Sequence, residues 1–99
     1  MREIHRNLHG GNGLIKTRTC TIRLFGNYVQ FIKLTLDCGA SIGMHAHPYN
    51  NEVYFTFNSC VRFGGLEEWT MFNFCKRGDT HGAINHSLDG CANIYAIKF

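Results

Sequence analysis

Short runs of apolar residues, separated by turn-forming residues, dominate the chain. Runs rich in Val, Ile, Thr, Tyr and Phe recur between Gly and Asn. No long window carries apolar residues at the i, i+3, i+4, i+7 spacing of an amphipathic helix. Residues 28–37 alternate in polarity, and side chains two apart share a strand face. A core is predicted to cover the mostly apolar set Tyr28, Gln30, Ile32, Leu34 and Leu36. The pattern as a whole predicts an all-β protein.

The same pattern divides the rest of the chain. Residues 1–13 are polar and end in Gly10-Gly11-Asn12-Gly13, which predicts a turn-prone N-terminal arm. Residues 14–24 are predicted as one or two outer strands. Further on, residues 60–63 and 69–74 flank Gly64-Gly65-Leu66-Glu67-Glu68, and because Gly-Gly accepts the positive φ angles of a tight turn, we expect a compact hairpin there. The apolar segment 91–99 is predicted as the last strand.

Composition narrows the class of protein. Ninety-nine residues, 44% of them hydrophobic, suit one globular domain. The ten Lys and Arg are scattered and the formal charge is only +3, so no nucleic-acid partner is expected. The roughly 18 consecutive apolar residues of a membrane span are absent, and so is the apolar centre of a signal peptide. Five cysteines without a Cys-x-x-Cys pair favour reduced, buried thiols in a cytoplasmic protein.

Most of the candidate functional residues lie between residues 39 and 54. His45 and His47 are two apart, so both imidazoles are expected on one face of a strand. Pro48 should end that strand, and Tyr49-Asn50-Asn51 is predicted to turn the chain so that a hairpin returns Glu52 beside the imidazoles. Two histidines and a carboxylate converging from strands are ligands typical of a first-row transition metal. His81, after a glycine turn, is a third candidate imidazole.

These residues resemble the two motifs of the cupins, a superfamily of small β-barrels. The first motif is matched in spacing by Gly39, His45, His47 and Glu52, and the second by Gly78, His81 and Asn85. Three turn positions of the motifs differ, since Ser59 and Thr70 stand where cupins have Gly and Lys76 stands where they have Pro. The candidate ligand positions are all retained.

The resemblance implies a fold, a cofactor and a class of function. The fold is a small single-domain cupin barrel (a double-stranded β-helix, or jelly roll) over residues 14–99, as a homodimer. The metal ligands are His45, His47, Glu52 and His81. This ligand mix suits one divalent transition metal, Fe, Mn, Ni, Zn or Cu, without choosing among them. Octahedral coordination would leave two positions for a small-molecule ligand.

Two classes of function stay open. The first is a metalloenzyme acting on a small oxygenated metabolite, as an isomerase, lyase or dioxygenase of the cupin type. The second is a non-catalytic module with a vestigial site that binds a small ligand or another protein, which the lost turn residues favour. Of the neighbouring residues, Asn85 is expected to form hydrogen bonds at a strand end and Tyr54 to fill the barrel. His5 and His9 are assigned to the polar arm without a role.

Overall fold

The computed structural model describes residues 1–64 and 71–99. In those ranges the chain forms nine β-strands and one short 3-10 helix, Leu8–Gly10. The prediction of an all-β protein is confirmed. The strands are β1 Arg2–Arg6, β2 Leu14–Leu24, β3 Asn27–Leu36, β4 Ser41–Ala46, β5 Glu52–Phe55, β6 Val61–Gly64, β7 Phe72–Cys75, β8 Thr80–Asn85 and β9 Ala92–Lys98.

The strands form two antiparallel sheets. The larger has six strands in the order β1-β2-β3-β9-β5-β7, and the smaller has three in the order β4-β8-β6. The buried core takes residues from both, including Ile15, Leu36 and Ile94 from the large sheet and Ile42 and Phe63 from the small one. The two sheets therefore pack face to face, with alternate side chains of each strand pointing inwards.

The predicted hairpin between His47 and Glu52 is wrong, although the end of the first strand is close to the expected place. β4 stops at Ala46, before Pro48, but it pairs with β8, whereas β5 pairs with β7 and β9 in the other sheet. Residues 47–51 thus cross from one sheet to the other. Glu52 consequently reaches the histidines from the opposite wall of the barrel.

The first residues are tied to the large sheet. β1 pairs with β2 in a register that places Arg2 opposite Arg18 and Arg6 opposite Leu14. The side-chain oxygen of Asn7 then accepts a hydrogen bond from the Gly13 amide at 3.0 Å, which closes the loop around the 3-10 helix. The division into an arm (residues 1–13) and a barrel (residues 14–99) stays a prediction.

Two further expectations concern turns and thiols. The turn at Gly64–Glu68 falls largely outside the described residues, but the predicted hairpin is wrong, because β6 pairs with β8 in the small sheet and β7 pairs with β5 in the large one. Cys75 is buried as expected, but the prediction of buried thiols is wrong for the other four cysteines, which are exposed.

Across residues 1–64 and 71–99, no helix has the length and apolar character needed to cross a membrane.

Candidate metal centre

Four side chains from three strands and one strand end meet inside the barrel. His45 lies on β4 directly opposite His81 on β8, after an irregularity in the register that begins beyond Ile42. His47 follows the end of β4, and Glu52 is the first residue of β5. His81 and Glu52 are buried, and His45 and His47 are half-buried. The structure thus brings together all four residues that the sequence singled out.

The polar atoms of the four side chains are closely spaced. Nε2 of His47 lies 3.1 Å from Nε2 of His45 and 2.9 Å from Nε2 of His81. Oε1 of Glu52 lies 2.9 Å from Nε2 of His47 and 2.9 Å from Nε2 of His81. Three ring nitrogens and one carboxylate oxygen therefore face a common point.

Hydrogen bonds at the far side of two rings set their tautomers. Nδ1 of His45 donates to the Gly43 carbonyl oxygen at 2.7 Å, and Nδ1 of His81 donates to the side-chain oxygen of Asn73 at 3.2 Å. A neutral imidazole that donates through Nδ1 keeps a lone pair on Nε2. Such partners are the usual way in which proteins orient histidine ligands of a metal.

The arrangement fits a divalent cation better than a hydrogen-bonded cluster. Oε1 of Glu52 is buried, and its polar neighbours at 2.9 Å are Nε2 of His47 and His81, which leave it without a hydrogen bond when these nitrogens carry lone pairs. Leaving a buried carboxylate oxygen unpaired is costly unless a cation compensates it. Neighbouring ligands of an octahedral ion with bonds of about 2.1 Å are about 3.0 Å apart, against about 3.4 Å for a tetrahedral one. Four of the six separations between the ligand atoms, at 2.9–3.1 Å, match the octahedral value, and all six lie within 4.8 Å.

The electrostatics keep the ligands in the form that binds metal. Burial lowers the pKa of His45 to about 4, against a smaller opposite effect of the Gly43 carbonyl, and burial also lowers the pKa of His47. Burial alone would raise the pKa of the Glu52 carboxyl, but His81, His47 and Lys98 together bring it below its ordinary value. Neutral imidazoles at His45 and His47 and an ionised carboxylate at Glu52 are therefore the forms present near neutral pH.

Tyr54 supports the centre from the core side. Its ring stacks on the His81 ring with centroids 4.2 Å apart and planes within 7°. Burial, and then the Glu52 carboxylate, raise the pKa of the Tyr54 hydroxyl well above its ordinary value, so the phenol stays protonated. Tyr54 therefore fills the barrel, as expected from its strand position.

A cavity of about 170 Å³ lies beside the centre, and it includes residues to which the sequence assigned no role. Its lining includes His45, His47 and Glu52 together with His5, His9 and Lys98. The His9 ring stacks on the His45 ring with centroids 3.8 Å apart. The interpretation of His5 and His9 as mere parts of a polar arm is therefore wrong.

The sequence held one signal for the position of His9. Gly10 and Gly11 follow it directly, and a glycine pair beside a polar segment marks a place where two backbones approach closely. Here a side chain on Gly11 would collide with the Ser41 carbonyl, and one on Gly43 would collide with the His9 carbonyl. Nothing in the sequence pattern indicated that Lys98, at the end of the last strand, shares the cavity.

Comparison with solved structures gives the fold its class. The chain is similar to a predicted oxalate decarboxylase from Thermotoga maritima, with 18% identity, a TM-score of 0.75 and coverage of 100% of this chain and 91% of that one. It is also similar to an RmlC-like cupin from Shewanella frigidimarina, with 16% identity, a TM-score of 0.66 and coverage of 99% and 83%. A cupin 2 conserved barrel domain protein from Rhodopseudomonas palustris matches at 7% identity and a TM-score of 0.64, with coverage of 99% and 68%.

The protein has the cupin fold, as its two motifs predicted. No protein-family model matches the sequence, and no curated protein matches it either. At these identities the solved structures define the fold, and the chemistry has to be argued from the residues of this chain.

Proposed function

We propose that this protein is a metal-binding cupin in which His45, His47, His81 and Glu52 hold one divalent transition metal. The observation that carries the proposal is the convergence of three Nε2 atoms and the buried Oε1 of Glu52, with four separations of 2.9–3.1 Å and all of them within 4.8 Å. Unprotonated lone pairs at such distances repel each other unless a cation lies between them.

The function that we propose for this centre is to bind, or act on, a small oxygenated metabolite. A bound divalent metal supplies a Lewis acid that polarises a carbonyl or carboxylate oxygen. Four protein ligands on an octahedral ion leave two coordination positions. The adjoining cavity of about 170 Å³ is smaller than the roughly 300–1,000 Å³ typical of drug-sized ligands, which favours a small molecule. The similar Thermotoga maritima protein is described as a predicted oxalate decarboxylase, a class of enzyme that acts on such a molecule.

Metal content tests the proposal directly. Protein reconstituted with Zn(II), Mn(II), Fe(II), Ni(II) or Cu(II) and then desalted is expected to retain about one equivalent of at least one metal, measured by elemental analysis. His81→Ala and His47→Ala should each retain less than about one-tenth of an equivalent, because each removes a ligand. His47 is half-buried, so His47→Ala still reports if His81→Ala fails to fold.

His86→Ala is the matched control, since His86 is an exposed histidine in the loop that follows β8. It should retain as much metal as the unaltered protein. Failure of the unaltered protein to retain any of the five metals would overturn the proposal. Equal retention by His47→Ala and His86→Ala would overturn the assignment of the ligands.

We further propose that the protein is a homodimer, as the resemblance implied. The supporting observation is a group of aromatic side chains on the outer face of the large sheet, which we call the outer aromatic face: Phe31, Phe55, Phe57, Phe72 and Tyr95. Exposed apolar groups of this kind mark protein–protein contacts more often than free surface. The cytoplasmic location and the lack of nucleic-acid or membrane partners stay predictions from the sequence.

A further inference from the structure

The cavity beside the centre has an uneven distribution of charge. Lys98 lies at the end of β9 directly opposite Glu52 in the register, and its Nζ is 4.0 Å from Oε2 of that residue. A divalent ion held as proposed brings two positive charges, and with Lys98 these exceed the single negative charge of Glu52 by two. Glu3 also contributes to the lining, but its carboxylate is half exposed and lies 3.6 Å from Nε2 of His5.

Hydroxyl groups and imidazole rings supply the rest of the polar lining. Thr17, whose hydroxyl is 3.3 Å from Nε2 of His5, is buried, and Thr19 follows on the same strand face. The His9 ring, stacked on His45, adds a further ring to the lining. Leu8, Ile32 and Leu34 complete the wall with apolar surface. A cavity with these groups suits a small ligand that is anionic at one end and has a further oxygen atom.

Lys98 is the lining residue that favours an anionic ligand over a neutral one. An ammonium group beside a metal ion with open positions can pair with a carboxylate that has one oxygen on the metal, since such charge-assisted hydrogen bonds are about twice as strong as neutral ones. The side chain of Lys98 is about one-quarter exposed, so its charge is only partly screened by solvent. An uncharged ligand of the same shape would gain less from this group, because it carries no charge to pair with the ammonium.

We propose that the cavity binds a small 2-oxygenated carboxylate, with its carboxylate between the metal and Lys98. This inference rests on the proposed metal centre. It concerns the class of ligand and does not depend on whether the protein is a catalyst. In this arrangement Lys98 is a specificity-determining residue, while the four ligands hold the ion.

The test compares glycolate with glycolamide, its neutral counterpart, by calorimetry on the zinc-loaded protein. Glycolate is expected to bind at least about tenfold more tightly than glycolamide, a difference of about 1.4 kcal/mol. Lys98→Met should weaken glycolate binding about tenfold, weaken glycolamide binding less, and leave zinc content unchanged. Lys16→Met is the matched control, because Lys16 is exposed on the opposite face of β2 from Thr17 and should change neither ligand's affinity.

The outcomes separate the two proposals. Normal zinc content with equal affinity for glycolate and glycolamide would overturn the inference and leave the metal centre standing. Loss of zinc from Lys98→Met would also overturn it, because Lys98 would then serve Glu52 and the ion rather than the ligand. A protein that retains no metal at all would overturn the proposed function and this inference with it.

Discussion

At the scale of single residues, Asn85 shows how a motif position can serve structure instead of chemistry. It is fully buried, and its side-chain nitrogen donates to the carbonyl oxygens of Leu36, Asp37 and Gly90 at 3.0–3.1 Å. Its side-chain oxygen accepts from the Ser87 amide at 3.0 Å. One amide thus joins the end of β3 to the loop between β8 and β9. The expectation that Asn85 forms hydrogen bonds at a strand end agrees with these contacts.

Asn85→Ala is therefore expected to lower the free energy of unfolding by about 2–3 kcal/mol, because it leaves buried carbonyl groups without a donor. Urea denaturation followed by circular dichroism measures the change. Asn58→Ala is the matched control, since the side-chain oxygen of Asn58 accepts a single, exposed hydrogen bond from Cys60 at 2.8 Å. It should cost less than about 1 kcal/mol. Equal losses in the two variants would contradict the structural role given to Asn85.

The four candidate ligands lie together, as the sequence predicted, and the reason is physical. Period-two alternation on a strand places His45 and His47 on one side, and motif spacing selected Glu52 and His81 without any knowledge of the fold. His9 and Lys98 could not be found in this way. Lys98 reaches the cavity through the pairing of β9 with β3 and β5, and His9 through the contact of the 3-10 helix with β4, and local sequence patterns predict neither contact.

At the scale of secondary-structure elements, the contact between the 3-10 helix and β4 positions the wall of the centre. The backbones cross so closely at Gly11 and Gly43 that a side chain on either would overlap a carbonyl group. His9 adopts a left-handed backbone conformation, with φ of 52°, just before this crossing. The crossing keeps the His9 ring stacked on His45, whose Nδ1 donates to the carbonyl of Gly43 itself.

Gly43→Ala is expected to destabilise the fold by about 2–3 kcal/mol, because the added methyl group forces the two backbones apart. It should also weaken zinc binding, since His45 loses its fixed orientation. Thermal unfolding of the metal-free protein and zinc titration measure the two effects separately. Gly90→Ala is the control, because a methyl group there meets the Ser87 hydroxyl oxygen at an ordinary 3.5 Å. If both variants behave alike, the close crossing is not what orients His45.

The elements themselves were predictable to different degrees. Residues 28–37 matched β3 closely in extent, but the predicted core covers only part of its apolar face: Leu34 and Leu36 are buried, Ile32 is half-buried and Tyr28 is exposed. The link from His47 to Glu52 was misjudged, because turn-forming residues indicate that a strand ends but not which sheet the next strand joins. Five residues, 47–51, are enough to cross between two facing sheets, which sit about 10 Å apart. The pairing of β5 with β9 depends on residues more than forty positions downstream.

At the scale of the whole molecule, the two faces of the large sheet carry different kinds of residue. The inner face supplies Glu52 and Lys98 to the cavity, whereas the outer face carries Phe31 opposite Ile97, and Phe55 opposite Tyr95. The rings of Phe55 and Tyr95 stack with centroids 5.5 Å apart, and Phe57 packs beside both while 80% exposed. A surface of this kind is costly in water, and covering it with a second copy removes the cost.

The outer aromatic face gives the proposed homodimer a direct test. The unaltered protein is expected to run in size-exclusion chromatography with light scattering at about twice the 11.3 kDa mass of the chain. The double variant Phe31→Lys, Phe57→Lys should run as a monomer, because burying an unpaired charge in an apolar interface costs more free energy than the remaining contacts supply. Phe25→Lys is the matched control, since Phe25 is fully exposed at the β2–β3 turn, away from this face. A monomeric unaltered protein, or a double variant that stays dimeric, would mean that something other than a second copy covers these rings. Because the cavity opens on the other side of the sheet, zinc content should be the same in all three proteins.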